Sequence, residues 1–152
     1  MLSAAEVLEI IPQKDPFRFI DRLVTLEEAR AVGEYTFKPT EFFYAGHFPG
    51  DPVTPGVILI ETMCQTGLVA LGIYLLGLEL PAEEVKKTVT LFTESNVEFE
   101  RVVKPGDTVR VTAERVYWRR RKLKSDVVLT LADGTHVAKG TVAGMGVHRE
   151  QL

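Results

Sequence analysis

Two side chains that can exchange protons near neutral pH lie close together in the middle of the chain. His47 follows a glycine and precedes a Phe-Pro-Gly run, and these neighbours predict a loop held in one conformation. Glu61 lies in a strongly apolar run, where an ionised carboxylate is costly unless it has a partner. An imidazole can gain or lose a proton near neutral pH, and a partly buried glutamate can become an acid. The pair therefore predicts chemistry that needs two proton transfers.

The predicted helix that carries Glu61 adds polarising and positioning groups. Pro55 suits the first turn of a helix, and the first N–H groups of that helix, at Gly56 and Val57, have no internal acceptors. Such groups carry partial positive charge and can stabilise a carbonyl oxygen that becomes negative. Gln65 lies one helical turn after Glu61 and can hydrogen-bond to it. Considered alone, Glu61 could equally be a carboxylate near the helix start that faces solvent.

The helix itself is predicted to be buried on every side. From Pro55 to Leu78 the chain is almost entirely apolar and long enough to cross a membrane. Glu61 and Gln65, three interior glycines and the lack of a second such run favour a core helix instead. A helix of this kind needs a sheet wrapped around it, or a sheet on one side and a second subunit on the other.

The rest of the chain supplies the elements that surround this helix. Ser3 and Glu6 have the spacing of a capping box for a short helix over residues 3–10, and residues 31–38 are strand-like. Residues 42–56 are dense in Gly and Pro and predict an ordered loop. Val- and Thr-rich segments separated by turns at 104–107 and 133–134 predict an antiparallel meander over residues 87–95, 96–103, 107–118, 124–133 and 135–147. We therefore predict an α+β fold in which an antiparallel sheet wraps around a long central apolar helix.

Composition limits the class of protein. The 152 residues, 45% hydrophobic and 26% charged, fit a single domain over residues 1–152. The only cysteine, Cys64, is interpreted as a small buried hydrophobic residue rather than a nucleophile. His136 and His148 have no partners at ligand spacing and are predicted to be structural or exposed, so no metal is expected. The formal charge of -3 argues against nucleic-acid binding. The first residues lack a signal-peptide pattern, which together with the single cysteine predicts a cytoplasmic protein.

One local excess of positive charge stands out from this acidic background. Arg119, Arg120, Arg121 and Lys122 are consecutive. Such a run is most often a solvated hairpin end, and it can also be a docking surface for an acidic partner.

The segment from His47 to Glu61 closely resembles a known signature. The string GHFPGDPVTPGVILIE from Gly46 to Glu61 is similar to that of the beta-hydroxyacyl-acyl carrier protein dehydratases of type II fatty acid synthesis. It resembles the FabZ branch more than the FabA branch, which has Asp where this chain has Glu61. Residues 11–12, 15–17 and 20–22 near the start, and residues 96–99 and 104–107 later on, extend the resemblance over most of the chain. The chain departs from the family's frequent residues at 13–15, at Thr54 and at Cys64.

The resemblance implies a hot-dog fold and a dehydratase. His47 would remove a C2 proton from a (3R)-3-hydroxyacyl thioester, Gly56 N–H would polarise its carbonyl, and Glu61, helped by Gln65, would protonate the departing hydroxyl. The substrate would be held on the phosphopantetheine arm of acyl carrier protein, with no metal or redox cofactor. Family members are dimers or trimers of dimers that build the site from the His of one chain and the acid of the other.

Three other functions share this fold or this kind of pocket. A hot-dog thioesterase would activate water, and a coenzyme A-linked hydratase would run the reaction in reverse. A non-catalytic acyl-binding or carrier-docking module would keep the fold without turnover. The Gly-His-Phe-Pro-Gly string argues against the first two, and the presence of both His47 and Glu61 argues against the third. For the carrier surface, the resemblance favours docking at Arg119–Lys122 over a solvated hairpin end, because acyl carrier proteins are acidic.

Overall fold

The computed structural model describes residues 1–152 as one antiparallel sheet packed around one long helix. The hydrogen-bonded order of the six strands is β1-β2-β4-β5-β6-β3. The strands are β1 (Arg22–Leu26), β2 (Arg30–Thr36), β3 (Thr88–Phe99), β4 (Thr108–Arg119), β5 (Lys122–Leu131) and β6 (His136–His148). The helices are α1 (Ala4–Ile10), α2 (Gly56–Cys64), a π-helical stretch (Gln65–Ala70), α3 (Leu71–Glu79), α4 (Ala82–Val85) and a 3-10 turn (Arg149–Gln151). The predicted α+β hot-dog arrangement is confirmed.

The central helix runs without a break from Gly56 to Glu79 and forms the middle of the core. It is long and apolar enough to cross a membrane, but 78% of its most apolar window is buried inside the fold. One side packs on the sheet, where Leu68, Leu71 and Leu75 share a cluster with inward-facing residues of β4, β5 and β6. The membrane interpretation is therefore unnecessary, because the sheet and the N-terminal segment cover the helix.

The opposite side of the helix is covered by the N-terminal segment. Val7 of α1 and Ile11 pack with Val69, Ile73 and other residues of the helix in a second cluster. The predicted capping box of α1 is present, because the Ser3 hydroxyl accepts from Glu6 N–H and the Glu6 carboxylate accepts from Ser3 N–H. The extended residues that follow α1 carry the chain back along the helix, close to Gln65.

The middle of the helix widens into a π-helical stretch, which changes the backbone hydrogen bonding there. The buried Ser125 hydroxyl of β5 donates to the Gly67 carbonyl at 2.8 Å. This bond satisfies a helix carbonyl in the core and ties the helix to the sheet. A Cβ at Gly67 would lie 3.0 Å from a Val127 side-chain carbon, so a glycine suits this close approach.

The predicted strand pattern is wrong in three respects. Residues 87–95 and 96–103 are not two strands, since β3 runs unbroken from Thr88 to Phe99 with one bulge between Phe92 and Glu94. Strand β1 was not predicted. Only β4, β5 and β6 form a meander, because β3 pairs with β6 and not with β4. The turn predicted at 104–107 exists, but it redirects the chain from one edge of the sheet to an interior strand.

The last strand of the sheet, β3, is long and mostly exposed. It pairs with β6 along one side and has no strand on the other. A Cβ at Gly140 of β6 would overlap the Asn96 carbonyl oxygen at 1.9 Å, so a glycine is needed for this close pairing. Phe92 and Phe99 of β3 are 51% and 44% exposed. A long unpaired strand edge with exposed aromatic side chains is a site where another strand can add.

Candidate functional site

His47 lies in the loop between β2 and the central helix, as predicted. Its ring Nδ1 lies 2.8 Å from the Val53 carbonyl oxygen, and Val53 N–H donates to the His47 carbonyl at 2.9 Å. The peptide bond between His47 and Phe48 is cis, and the Phe48 ring stacks on the imidazole with 4.0 Å between centroids. The imidazole is therefore held by contacts within its own loop.

The hydrogen bond to Val53 determines which imidazole nitrogen carries the proton. A carbonyl oxygen only accepts hydrogen bonds, so Nδ1 must be the donor. In the neutral ring, the lone pair is then on Nε2. A histidine oriented in this way can take a proton through Nε2 from a group placed beside it.

Glu61 lies in the second turn of the central helix and is only partly buried. Gln65 Nε2 donates to Glu61 Oε1 at 2.9 Å, which is the hydrogen bond that the i+4 spacing predicts. Burial raises the pKa of the Glu61 carboxyl, and the Gln65 hydrogen bond partly opposes that rise. The alternative of a freely solvated carboxylate at the helix start is wrong. A carboxyl with a raised pKa is suited to donate a proton.

Gln65 is fully buried and holds three partners at once. Its Oε1 accepts from Phe19 N–H at 2.7 Å, and its Nε2 donates to the Phe17 carbonyl at 2.9 Å as well as to Glu61. Every polar atom of the amide is thus used, which fixes its orientation. The N-terminal segment and the candidate acid are joined through this one side chain.

The start of the central helix offers two free donors. Ile58 and Leu59 N–H donate to the Pro55 carbonyl, whereas Gly56 and Val57 N–H have no acceptor within the chain. Val57 is 72% exposed, so this residue of the helix start lies at the surface of a single chain. A Cβ at Gly56 would lie 3.3 Å from the Phe99 ring, so the glycine lets Phe99 of β3 pack closely against the helix start.

His47 and Glu61 do not hydrogen-bond to each other within one chain. The only side-chain partner of His47 is Val53 O, and the only partner of Glu61 is Gln65. Both belong to the segment that leads from the loop into the central helix. One chain therefore supplies both halves of the predicted pair but does not join them.

The remaining predicted residues fall outside this segment or are inert. Cys64 is buried, and burial together with the nearby Glu61 carboxylate raises the pKa of its thiol, which argues against a nucleophile. His136 is exposed at the start of β6, and His148 accepts from Glu150 N–H at the C-terminal turn. No three His, Cys, Asp or Glu side chains lie together as a possible metal site, and the expected lack of a metal or cofactor stays a prediction.

The basic run forms the tip of the β4–β5 hairpin. Arg119 of β4 lies opposite Lys122 of β5 in the strand register. The two residues between them, Arg120 and Arg121, have φ of 50° and 62°. Both lie in the left-handed region, which a two-residue hairpin turn of this kind requires and which Asn-Gly adopts at less cost. Beside them is a groove of about 400 Å³ lined by Arg119, Arg120, Lys122 and Met145.

Several residues at the site could not be found from the sequence. Phe17 and Phe19 hold Gln65 through backbone groups, which carry no signal of residue type. Val53 acts through its carbonyl oxygen for the same reason. Phe99 lies against the helix start at Gly56 because it is at the end of the edge strand β3, far from Gly56 in the sequence. None of these contacts leaves a pattern in local spacing.

The raised pKa of Glu61 predicts how stability depends on pH. A carboxyl whose pKa is higher in the folded state than its ordinary value of 4.5 favours folding fully below that value, and this contribution is lost as the pH rises through the folded pKa. Glu61→Gln keeps the acceptor for Gln65 and removes the charge. We expect the variant to gain stability over the wild type at about pH 8 and to gain less at about pH 5.

Urea unfolding at both pH values and one protein concentration measures this difference. Glu83→Gln is the control, because Lys86 lowers the pKa of exposed Glu83 and its loss should give no such gain. A Glu61→Gln variant that is less stable than the wild type at about pH 8 would contradict a buried carboxyl with a raised pKa.

The sequence matches a known family over most of its length. The FabA-like domain family matches residues 11–141. The 3-hydroxyacyl-[acyl-carrier-protein] dehydratase FabZ of Chloroflexus aggregans is 41% identical over 134 residues, which are 88% of this chain and 88% of that protein. The protein of the same name from Acetivibrio thermocellus is 40% identical over 144 residues, 93% of this chain and 92% of that protein.

Solved structures agree on the fold. The dehydratase heterocomplex ApeI:P from Xenorhabdus doucetiae matches with a TM-score of 0.79 and 11% identity, over 99% of this chain and 95% of that chain. A hypothetical thioesterase from Streptococcus pneumoniae with coenzyme A matches with a TM-score of 0.53 and 15% identity, over 84% and 85%. At such identities the likeness shows the fold alone. The family match and the two FabZ relatives show that this chain belongs to the FabA-like family, in its FabZ branch.

Proposed function

We propose that the chain dehydrates (3R)-3-hydroxyacyl thioesters carried by acyl carrier protein to trans-2-enoyl thioesters, in fatty acid synthesis or a related pathway. One observation carries the proposal. The signature segment holds one group that can accept a proton and one that can donate a proton. His47 is held with its Nε2 lone pair free, and burial raises the pKa of the Glu61 carboxyl. A base and an acid of this kind are what the removal of water across two adjacent carbons needs.

The reaction uses each group once. His47 Nε2 takes a proton from C2, and the electron pair of that C–H bond forms the double bond between C2 and C3. The bond from C3 to the hydroxyl oxygen breaks, and Glu61 gives its proton to that oxygen, which leaves as water. The free Gly56 N–H stabilises the thioester oxygen while negative charge builds on it, and Val57 N–H is a second donor nearby. Proton transfer from His47 to Glu61, directly or through water, resets the site.

A second copy of the chain would complete the site. The 12-residue strand β3 leaves one edge unpaired, and exposed apolar residues lie along it, including Leu91, Phe92 and Phe99. Antiparallel pairing of two β3 strands would extend the sheet and cover this edge. The contact of Phe99 with the helix start supports an interface next to Gly56. We infer a homodimer, alone or in a trimer of dimers, in which His47 of one subunit meets Glu61 of its partner.

The acidic carrier protein would dock on the β4–β5 hairpin. Arg119, Arg120 and Lys122 put like charges around one groove, which steers an acidic partner and raises the association rate. Arginines in the left-handed region cost roughly 1–2 kcal/mol per residue relative to ordinary conformations. Two arginines keep this costly backbone conformation at the tip of the hairpin. This supports a functional surface over an ordinary solvated turn. The carrier's phosphopantetheine would bring the thioester to the site. We propose that the reaction takes place in the cytoplasm and needs no nucleic acid, metal or redox cofactor.

Turnover tests the proposed chemistry directly. His47→Ala and Glu61→Gln should each lower kcat by about 10² to 10⁴, because each removes one proton-transfer group. The assay is mass-spectrometric detection of enoyl product from a (3R)-3-hydroxyacyl carrier-protein thioester. His136→Ala and Glu83→Gln are matched controls on exposed residues and should keep wild-type kcat.

The product identifies the rival functions in the same assay. Free acid in place of the enoyl thioester would indicate a thioesterase, and no product at all would indicate a binding module. Turnover of the coenzyme A thioester in preference to the carrier-protein thioester would indicate a coenzyme A-linked enzyme. Wild-type activity in either His47→Ala or Glu61→Gln would overturn the mechanism.

A variant of the β4–β5 hairpin tests carrier docking independently of the proton-transfer chemistry. Arg120→Asn with Arg121→Gly installs the preferred residues of this turn and removes two charges, so thermal stability should rise or stay unchanged. We expect KM for the carrier-linked substrate to rise about 5- to 10-fold and to depend less on salt, because charge steering is lost. Turnover of a short thioester without carrier should not change.

Arg30→Gln with Lys139→Gln removes the same charge from exposed positions on other strands and is the control. An unchanged KM in the hairpin variant, or an equal rise in this control, would contradict docking at the hairpin.

A further inference from the structure

A closed set of hydrogen bonds surrounds His47. His47 N–H donates to the Tyr44 carbonyl at 3.3 Å, and the imidazole Nδ1–H donates to the Val53 carbonyl at 2.8 Å. The next residue, Thr54, has its hydroxyl 2.6 Å from the Tyr44 hydroxyl. Thr54 N–H donates to the Val103 carbonyl in the turn after β3. Tyr44 and Thr54 thus join the segment that precedes His47 to the segment that follows it.

We infer that Tyr44 and Thr54 are positioning residues for His47, because their hydroxyl-to-hydroxyl bond fixes the Val53 carbonyl that keeps the imidazole proton on Nδ1. This inference rests on the proposed function for the role of His47 as the base. Neither residue touches the reacting atoms in this account; both act through Val53.

The isolation of the two hydroxyls supports this role. Tyr44 and Thr54 are each 4% exposed, and each hydroxyl is the other's only side-chain or backbone partner in the chain. Burial raises the pKa of the Tyr44 phenol, so it stays neutral and can donate. Loop backbone is mobile unless it is anchored, and a buried hydroxyl pair is directional in a way that an apolar contact is not. The carbonyl next to this anchor is the one that His47 uses.

A merely structural role predicts a different result from a positioning role. Removing one hydroxyl leaves the other buried without a partner, which lowers stability in either case. Replacing both with apolar groups of similar shape, as in Tyr44→Phe with Thr54→Val, removes that penalty and should bring thermal stability back near the wild type. If the pair only stabilises the fold, kcat recovers in the double variant. If it positions His47, kcat stays low.

The test combines kinetics with the protonation state of the ring. Long-range ¹H–¹⁵N spectra of the full-length protein report which nitrogen of each histidine is protonated, and His136 and His148 provide internal references. We expect wild-type His47 to be mainly the Nδ1–H form. Thr54→Val and the double variant should show a mixture of forms, with kcat about ten-fold lower and KM changed by less than about two-fold. Thr54→Ser keeps the hydroxyl, so its His47 spectrum and its kcat should match those of the wild type.

The outcomes separate this inference from the proposed function. Thr88→Val, a buried threonine on β3, is the control and should leave the His47 spectrum and kcat unchanged. Unchanged His47 spectra in Thr54→Val and in the double variant, or a recovered kcat in the double variant, would overturn the positioning role. If the wild type makes no enoyl thioester, the proposed function fails, and the spectra still decide whether the pair fixes the ring.

Discussion

The central helix is apolar on every side, and the need to cover it accounts for most of the architecture. The sheet covers one side and the N-terminal segment covers another, with no polar face left for solvent. Burial on this scale is the main favourable contribution to folding, and it leaves little tolerance for polar groups. The polar residues in the first half of the helix are Glu61 and Gln65 with the smaller Thr62 and Thr66. Function is expected where Glu61 and Gln65 meet their partners.

Gln65 connects stability with chemistry. Its amide satisfies two backbone groups of the N-terminal segment and one oxygen of Glu61, so the segment that closes the core also orients the candidate acid. His47 is held in a comparable way by Val53, from a loop that is anchored to the turn after β3. The candidate base and the candidate acid are therefore each held by neighbours in their own chain. Preorganisation of this kind lowers the cost of reaching the reactive geometry.

The sequence predicted what depends on local pattern. The capping box of α1, the loop around His47, the central helix and the Gln65 to Glu61 bond all follow from short-range spacing, and all are present. It did not predict the position of β3, because turn residues mark a reversal and do not say which strands will pair. The short strand β1 was missed because the Pro-broken run before it carries few strand signals. The partners of Gln65 and the Tyr44 to Thr54 bond depend on backbone groups or on contacts distant in the chain, which periodicity does not encode.

We propose that His47 and Glu61 act in one site to which two subunits contribute. The most direct test of this proposal is the activity of a mixed dimer, made by coexpressing His47→Ala and Glu61→Gln chains with different tags and purifying the species that carries both. In a shared site, one of the two sites receives an intact His47 and an intact Glu61, so the mixed dimer should recover about half of the wild-type kcat. A mixed dimer as inactive as its two parents would contradict the shared site and would require both residues to act within one chain.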